Sequence, residues 1–233
     1  MFSPKTLEER LDYIQDRIQK ASFSSGRKPR DITLVGITKS FPVKIWDQAL
    51  NVNLTTLGEN RIQETIEKAE TFQKRDKLEL HFIGHLQSNK ARKAVELFDV
   101  IQTVDSIKLA GRINSICKES YIKQYIYLQV NVGADPKKHG ISVKNATSVA
   151  QEITKMENLI LKGIMTIPPR ETTIKERSLI YRKTRKIRDK ICSRINKNCQ
   201  NISMGMSNDY ETAIAEGTTH IRIGTGLFGP RPQ

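Results

Sequence analysis

Asn201-Ile202-Ser203-Met204-Gly205-Met206-Ser207-Asn208-Asp209, followed after a short helical segment by Thr219-His220-Ile221-Arg222-Ile223-Gly224-Thr225-Gly226, decides the fold. It reads as a short strand near Asn201–Ser203, a hydroxyl-rich loop, a helix over Asp209–Ala215 ended by Gly217, a second strand over Thr219–Ile223, and a glycine-rich loop. Strand, helix and strand in so few residues make a parallel βαβ unit. The loops suit an anion. Small residues let backbone N–H groups approach a ligand, a helix start adds a favourable dipole, and the hydroxyls add donors. Arg222, at the end of the second strand, can aim a fixed positive fork into the same pocket. Asn208 with Glu211 also satisfies a capping-box pattern, an ordinary structural use of the same residue types.

Working back toward the N-terminus, the same unit repeats. A helix near Val43–Leu50 precedes a strand near Thr55–Leu57, and the helix Arg61–Phe72 precedes Leu78–Ile83. The helix Asn89–Leu97 precedes Val100–Thr103, and Ser106–Lys118 precedes Tyr125–Val130. The helix Asn145–Met156 precedes Leu159–Met165, and Ile174–Ile195 leads to the stretch above. Ile32–Thr38 reads as a first buried strand. Ahead of it, Leu7, Leu11, Ile14, Ile18 and Ala21 recur at helical spacing, with Thr6 and Glu9 as a capping box. About eight strand–helix units predict an α/β fold, a (β/α)8 TIM barrel with an extra N-terminal helix, as a single domain over 1–233. The alternative is an open doubly wound sheet, but no Gly-x-Gly-x-x-Gly follows the first strand and no Walker-type loop occurs.

Composition bounds the rest. A chain of 233 residues supports a sizeable core. Three cysteines, Cys117, Cys192 and Cys199, form no disulfide framework, which fits a reducing, cytoplasmic location. No apolar run reaches the ~20 residues of a membrane span, and no signal peptide is expected. The net charge of +14 raises nucleic-acid binding. However, the basic residues are spread out, the densest patch (Arg182–Arg188) lies on an amphipathic helix, and aromatics make up only 6%. No specific nucleic-acid partner is expected.

In barrels of this kind function sits where the strands end. Lys39 ends the first, Glu59-Asn60 the second, and His85 follows the third. Asn131 ends the fifth, Met165 the sixth, Ser203 the seventh and Arg222 the eighth. Lys39 in a desolvated mouth near another cation such as Arg222 would favour its neutral amine, which condenses with aldehydes. Glu59 is either a base or a strand-end salt bridge. His81 and His85 share a parity but no third ligand is in view, so no metal site is expected. His139 reads as solvated, and His220 as packing at the start of the last strand.

At these residues the chain resembles the pyridoxal 5′-phosphate homeostasis proteins, similar to the barrel domain of alanine racemase without its second domain. The resemblance runs through Leu34–Lys39, Gly58-Glu59-Asn60 with Gln63-Glu64, and His81–Lys90. It continues through Gly163–Pro168, Ser203–Ser207 and Arg222–Gly229, and so spans nearly the whole chain. It implies that Lys39 forms a covalent aldimine (a Schiff base) with pyridoxal 5′-phosphate. It implies that Ser203, Ser207, Gly224 and Thr225 surround the phosphate, and that Arg222 faces the pyridine nitrogen. Asn60, His85 and Met165 match residues near the ring, and Lys138 a lysine in the loop after the fifth strand. The expected function is cofactor binding and intracellular homeostasis without catalytic turnover, with apo forms of pyridoxal-phosphate enzymes as possible partners. An amino-acid racemase is the alternative. It needs a second base, usually from another domain, and the chain ends at Gln233 without one. A phosphosugar aldolase would use the same Lys39 and phosphate site with Glu59 as acid–base group.

Overall fold

A computed structural model describes residues 6–231. Its strands, in chain order, are β1 (Thr33–Ile37), β2 (Thr56–Glu59), β3 (Glu79–Phe82), β4 (Val100–Val104) and β5 (Gln124–Asn131). They continue with β6 (Ile141–Ser142), β7 (Leu159–Met165), β8 (Asn201–Met206) and β9 (His220–Ile223). Eight of them close into a parallel ring in sequence order; β4 pairs with β5 and β1 with β9, which excludes the open sheet. The two-residue β6 lies beside the end of β5.

The helices are α1 (Leu7–Ser24), α2 (Lys44–Asn51), α3 (Ile62–Thr71), α4 (Ala91–Leu97), α5 (Ile107–Glu119), α6 (Ala146–Thr154), α7 (Ile174–Arg194), α8 (Tyr210–Ala215) and α9 (Thr225–Phe228). The expected capping box at Thr6 and Glu9 starts α1, and Thr173 with Glu176 forms another at α7. At α8 the expected box does not form. Asp209 is the N-cap residue, its Oδ1 accepts the Met206 N–H at 2.6 Å, and Glu211 instead pairs with Arg17. That ion pair ties α1 to α8, beside the buried stripe Leu11, Ile14 and Ile18. Among the described residues no helix is long and apolar enough to cross a membrane.

Alternation divides each strand between two layers. Leu57, Leu80, Phe82, Ile101, Ile126, Leu128, Leu161 and Ile221 face the helices and build the main core with Trp46, Ala49 and Ile113. The opposite parity fills the ring. His81 and Gln102 bond to each other there at 2.6 Å, and a Cβ on Gly58 would meet Val35 and Ile37. This parity has a consequence at the strand ends. Lys39 continues Val35 and Ile37 and so points into the mouth of the ring. Glu59 continues Leu57 and points among the helices.

One glycine is fixed by close approach. A Cβ on Gly84 would stand 2.1 Å from the backbone oxygen of Asn60. Gly84 O also accepts from Thr103 Oγ1 at 2.6 Å, so the ends of β2, β3 and β4 are drawn together here. Gly84→Ala is expected to destabilise the fold by roughly 3 kcal/mol, the upper end for overpacking. The midpoint of urea unfolding checks this; it falls with an unchanged slope.

Candidate functional site

The mouth is organised around a turn. Thr38 follows β1, and its hydroxyl donates to Glu59 Oε1 at 2.7 Å. Trp46 Nε1 reaches both the Thr38 hydroxyl and Glu59 Oε1 at 3.3 Å. Lys68 Nζ donates to Glu59 Oε1 at 2.7 Å and to Thr38 O at 2.9 Å, and lies 3.0 Å from Glu64. On the other flank, Ser40 has the positive φ of 64°, and its N–H donates to Glu64 Oε1 at 2.6 Å. A serine in this left-handed region is uncommon and is held by its surroundings. Lys39 is therefore gripped on both sides by neighbours anchored to α2 and α3.

Lys39 itself is half-buried. Burial holds its amine below the ordinary lysine value, with Arg231, Arg61 and Arg170 adding to the effect and Glu59 opposing it. The cations named here are thus loop and terminal arginines rather than the expected Arg222. Of the two readings of Glu59, the geometry gives the buried salt bridge. Burial raises its carboxyl above the usual range, against the pull of Lys68 and the Thr38 hydroxyl. Its Oε2 is buried without a hydrogen-bond partner among the described residues.

Arg222 enters the ring from β9. Its Nη1 donates to Ser203 Oγ at 2.7 Å and its Nη2 to Thr166 O at 3.0 Å. Ser203 Oγ in turn donates to Gln102 Oε1 at 2.6 Å, and Gln102 Nε2 meets His81 Nδ1 at 2.6 Å. Burial lowers the affinity of Arg222 for its proton, while Tyr181 and Asp209 oppose that effect. The guanidinium remains a charged donor. Deeper in the ring, His220 is pushed down to about 3, first by burial and then by His81, and so stays neutral. Its ring nitrogens meet Thr219 Oγ1 at 2.8 Å and the Tyr127 hydroxyl at 3.3 Å.

Two of the residues expected around the ligand are buried within the ring. Ser203 is fully buried, and its hydroxyl accepts from Arg222. Met165 is fully buried with Val100 and Tyr127. Asn60 sits at the mouth, and its Oδ1 is a buried acceptor with no partner among the described residues. Beside Asn60 and His85 runs a groove of about 480 Å³ that also touches Arg61, Lys90 and Lys93.

Ser207, Gly224 and Thr225 form the other side. Gly205, at φ 93°, bends β8 into its loop, where any Cβ would stand 2.6 Å from that of Ala213. The loop returns Ser207 to the start of α9; a Cβ on Gly226 would lie 3.2 Å from Ser207 Oγ. Within α9, the first amide bonded to Gly224 O is that of Leu227. Among the described residues the N–H groups of Thr225 and Gly226 have no partner and are left to a ligand or solvent. Sequence reasoning missed Lys68, Trp46, Gln102 and Thr166; only the apolar-face position of a lysine in α3 could have signalled the first.

His139 is exposed, as expected, and also stacks on His85 with ring centroids 3.6 Å apart and planes 10° apart. Both Nδ1 atoms approach Asp105 Oδ2, at 3.5 Å from His85 and 3.9 Å from His139. His81, the expected companion of His85, faces the ring interior instead. The basic helix α7 is partly engaged within the chain. Arg182 pairs with Glu216 at 2.8 Å, and Arg188 with Asp189 at 2.7 Å.

Removing Lys68 would leave the Glu59 carboxylate buried and unpaired. Lys68→Met is expected to destabilise the protein by about 3–5 kcal/mol, while Glu59→Leu together with Lys68→Met restores most of it. Thermal and urea unfolding of the three variants measures the coupling.

A family profile described as the N-terminal domain of alanine racemase matches residues 42–232. The pyridoxal phosphate homeostasis protein of Aquifex aeolicus is 37% identical over 223 residues, covering 96% of this chain and 97% of its own. That of Escherichia coli strain K12 is 33% identical, covering 95% of each. The solved structure of PipY from Synechococcus elongatus, with PLP bound, aligns at a TM-score of 0.86 with 32% identity, covering 96% of this chain and all of its own. Alanine racemase of Clostridium difficile aligns at 0.68 with 18% identity over 58% of its length, a likeness of fold. By sequence and by architecture alike, the chain belongs to the pyridoxal phosphate homeostasis protein family.

Proposed function

We propose that this chain binds pyridoxal 5′-phosphate covalently on Lys39 and holds it for release to other proteins, as a homeostasis protein of the cell interior without catalytic turnover. The observation that carries the reading is the pairing, across one mouth, of a half-buried lysine with a lowered proton affinity and a Ser207–Thr225 loop whose amides are uncommitted. The residues present fit the group. Asn60 Oδ1 is an orphaned acceptor at the mouth, and Arg222 is a buried charged donor aligned by Ser203 and Thr166. When bound, the cofactor supplies an aldehyde that condenses with an amine and a phosphate that anchors it.

Burial and the surrounding arginines lower the proton affinity of Lys39, which eases its conversion to the nucleophilic amine. The Thr38–Glu59–Lys68 cluster keeps the lysine at the mouth. Ser207 and the amides of Thr225 and Gly226 orient the phosphate. Arg222 is a cationic donor with no acceptor, so a ring nitrogen facing it would be held unprotonated, which would make the ring a poor electron sink. That favours holding over carbanion chemistry. Apo enzymes that need the cofactor are the natural recipients.

Borohydride reduction of the protein loaded with pyridoxal phosphate, followed by peptide mapping, tests the reading. The expected result is a visible absorption band fixed by reduction as a phosphopyridoxyl group on Lys39, lost in Lys39→Ala. Capture should follow an amine titrating below the ordinary ~10.4, so it proceeds at a lower pH than for free lysine. A colourless protein, or an adduct elsewhere, overturns the assignment. Arg222→Gln should still capture the cofactor, with a shifted spectrum and retention weakened about tenfold or more, as expected for losing a charged hydrogen bond of ~1.5–3 kcal/mol. Equilibrium dialysis reads that loss.

A further inference from the structure

We propose that His85, Asp105 and His139 form a binding site for one divalent transition-metal ion of the zinc class at the rim of the barrel. The proposal stands on the geometry of these three side chains, of which His85 is also expected beside the cofactor ring. Their ligand atoms all lie within 4.8 Å of one another. In a tetrahedral site with bonds of about 2.0–2.1 Å, neighbouring ligand atoms stand roughly 3.3 Å apart. The separations of Asp105 Oδ2 from the two Nδ1 atoms, 3.5 and 3.9 Å, are already close to that value. Two imidazoles and one carboxylate select zinc, cobalt or nickel over magnesium or calcium. Three protein ligands leave a fourth position for water.

The scaffold behind each ligand is rigid. His85 follows Gly84, whose oxygen is held by Thr103 and whose Cα is packed against Asn60. Asp105 joins β4 to Ser106, the N-cap of α5, whose hydroxyl accepts from Leu109 N at 3.1 Å. His139 rides on the loop after β5, which is fastened just before it and at its own carbonyl. Asn131 Nδ2 donates to Lys138 O at 3.1 Å and to Asp135 O at 2.8 Å, and Gln129 Nε2 donates to His139 O at 3.0 Å. Three successive strand ends thus deliver one ligand each.

One adjustment is required. Parallel rings 3.6 Å apart cannot both aim in-plane lone pairs at one ion, so one imidazole must turn. The side chains are 44% and 58% exposed, and the torsion that turns an imidazole has a broad profile. Bound metal would then cross-link the loops after β3, β4 and β5 and fix the segment carrying Lys138, whose Nζ reaches Pro168 O at the same rim.

The test uses untagged full-length protein. The chain has four histidines, and His81 is buried within the ring while His220 is bonded there to Tyr127, so imidazole binding reports on His85 and His139. Cobalt(II) titration near pH 7.5 should give a saturable visible d–d absorption at one ion per chain. A near-ultraviolet thiolate charge-transfer band should be missing, which separates this site from one at Cys192. Calorimetry with zinc should give the same stoichiometry, and zinc should slow amide exchange over residues 132–140. His139→Ala and Asp105→Asn, each checked for unchanged circular dichroism, should weaken binding by tenfold or more. No saturable binding, a thiolate band, or binding indifferent to His139→Ala overturns the proposal.

Discussion

The buried pair of Lys68 and Glu59 fixes the geometry on which the mouth depends. Both side chains are almost wholly removed from water, at 5% and 0% exposure, so each alone would carry a desolvation penalty of several kcal/mol. Their attraction offsets that penalty only because other donors join it: the Thr38 hydroxyl and Trp46 Nε1 on the same carboxylate oxygen, and Thr38 O on the ammonium. The cluster welds the end of β1 to α2 and α3. Lys39 is the next residue along the chain, and its backbone has no freedom left to drift. Apolar residues at these two positions could match the pair in stability, but they would not hold Thr38 O, nor Glu64 where it accepts from the Ser40 amide. The use of the pair is geometric.

A second polar system runs through the ring itself, where barrels ordinarily stack branched aliphatic residues. Arg222, Ser203, Gln102 and His81 form a continuous hydrogen-bonded chain. Beneath it His220, Tyr127 and Asn201 form another, with Asn201 Nδ2 donating to the Tyr127 hydroxyl at 3.0 Å. A polar interior is tolerated only when its groups are satisfied. Here the neutral state of His220 matters, since a second positive charge below Arg222 would repel it. Arg222 is therefore a strong fixed cation, placed near the mouth and braced by the uncharged Ser203 hydroxyl and Thr166 carbonyl.

Much of this was legible in the chain. Regular alternation of short β-branched runs with amphipathic helices predicts the eight-unit barrel, and the strand ends locate the mouth. What parity decides was harder to see. Glu59 and Lys39 both end strands, yet one points among helices and the other into the ring, because alternation places them on opposite faces. Strand ends mark Ser203 and Met165 only as residues near the mouth; β8 continues to Met206 through an irregular register, and both side chains are buried, which spacing alone does not reveal. His139 was invisible for another reason. Its position follows from side-chain hydrogen bonds of Asn131 and Gln129 to a loop with no periodicity. Asn208 matched a cap by spacing alone; Asp209, one residue later, is placed to bond the Met206 amide and takes the role.

These features together set the balance between attachment and release. On the proposed reading, the lowered proton affinity of Lys39 eases bond formation with an aldehyde, and the reverse hydrolysis passes through the same groups. Retention must then come from contacts away from that bond. In the proposed mode, Ser207 with the amides of Thr225 and Gly226 would supply one, at a loop fixed by Gly205. Arg222 would supply the other, at a position fixed by Ser203 and Thr166. Neither contact lies on the turn that grips Lys39, so the strength of holding can change without altering the chemistry of attachment. A protein whose task is to hold and give up a reactive aldehyde needs that separation more than it needs an acid–base pair.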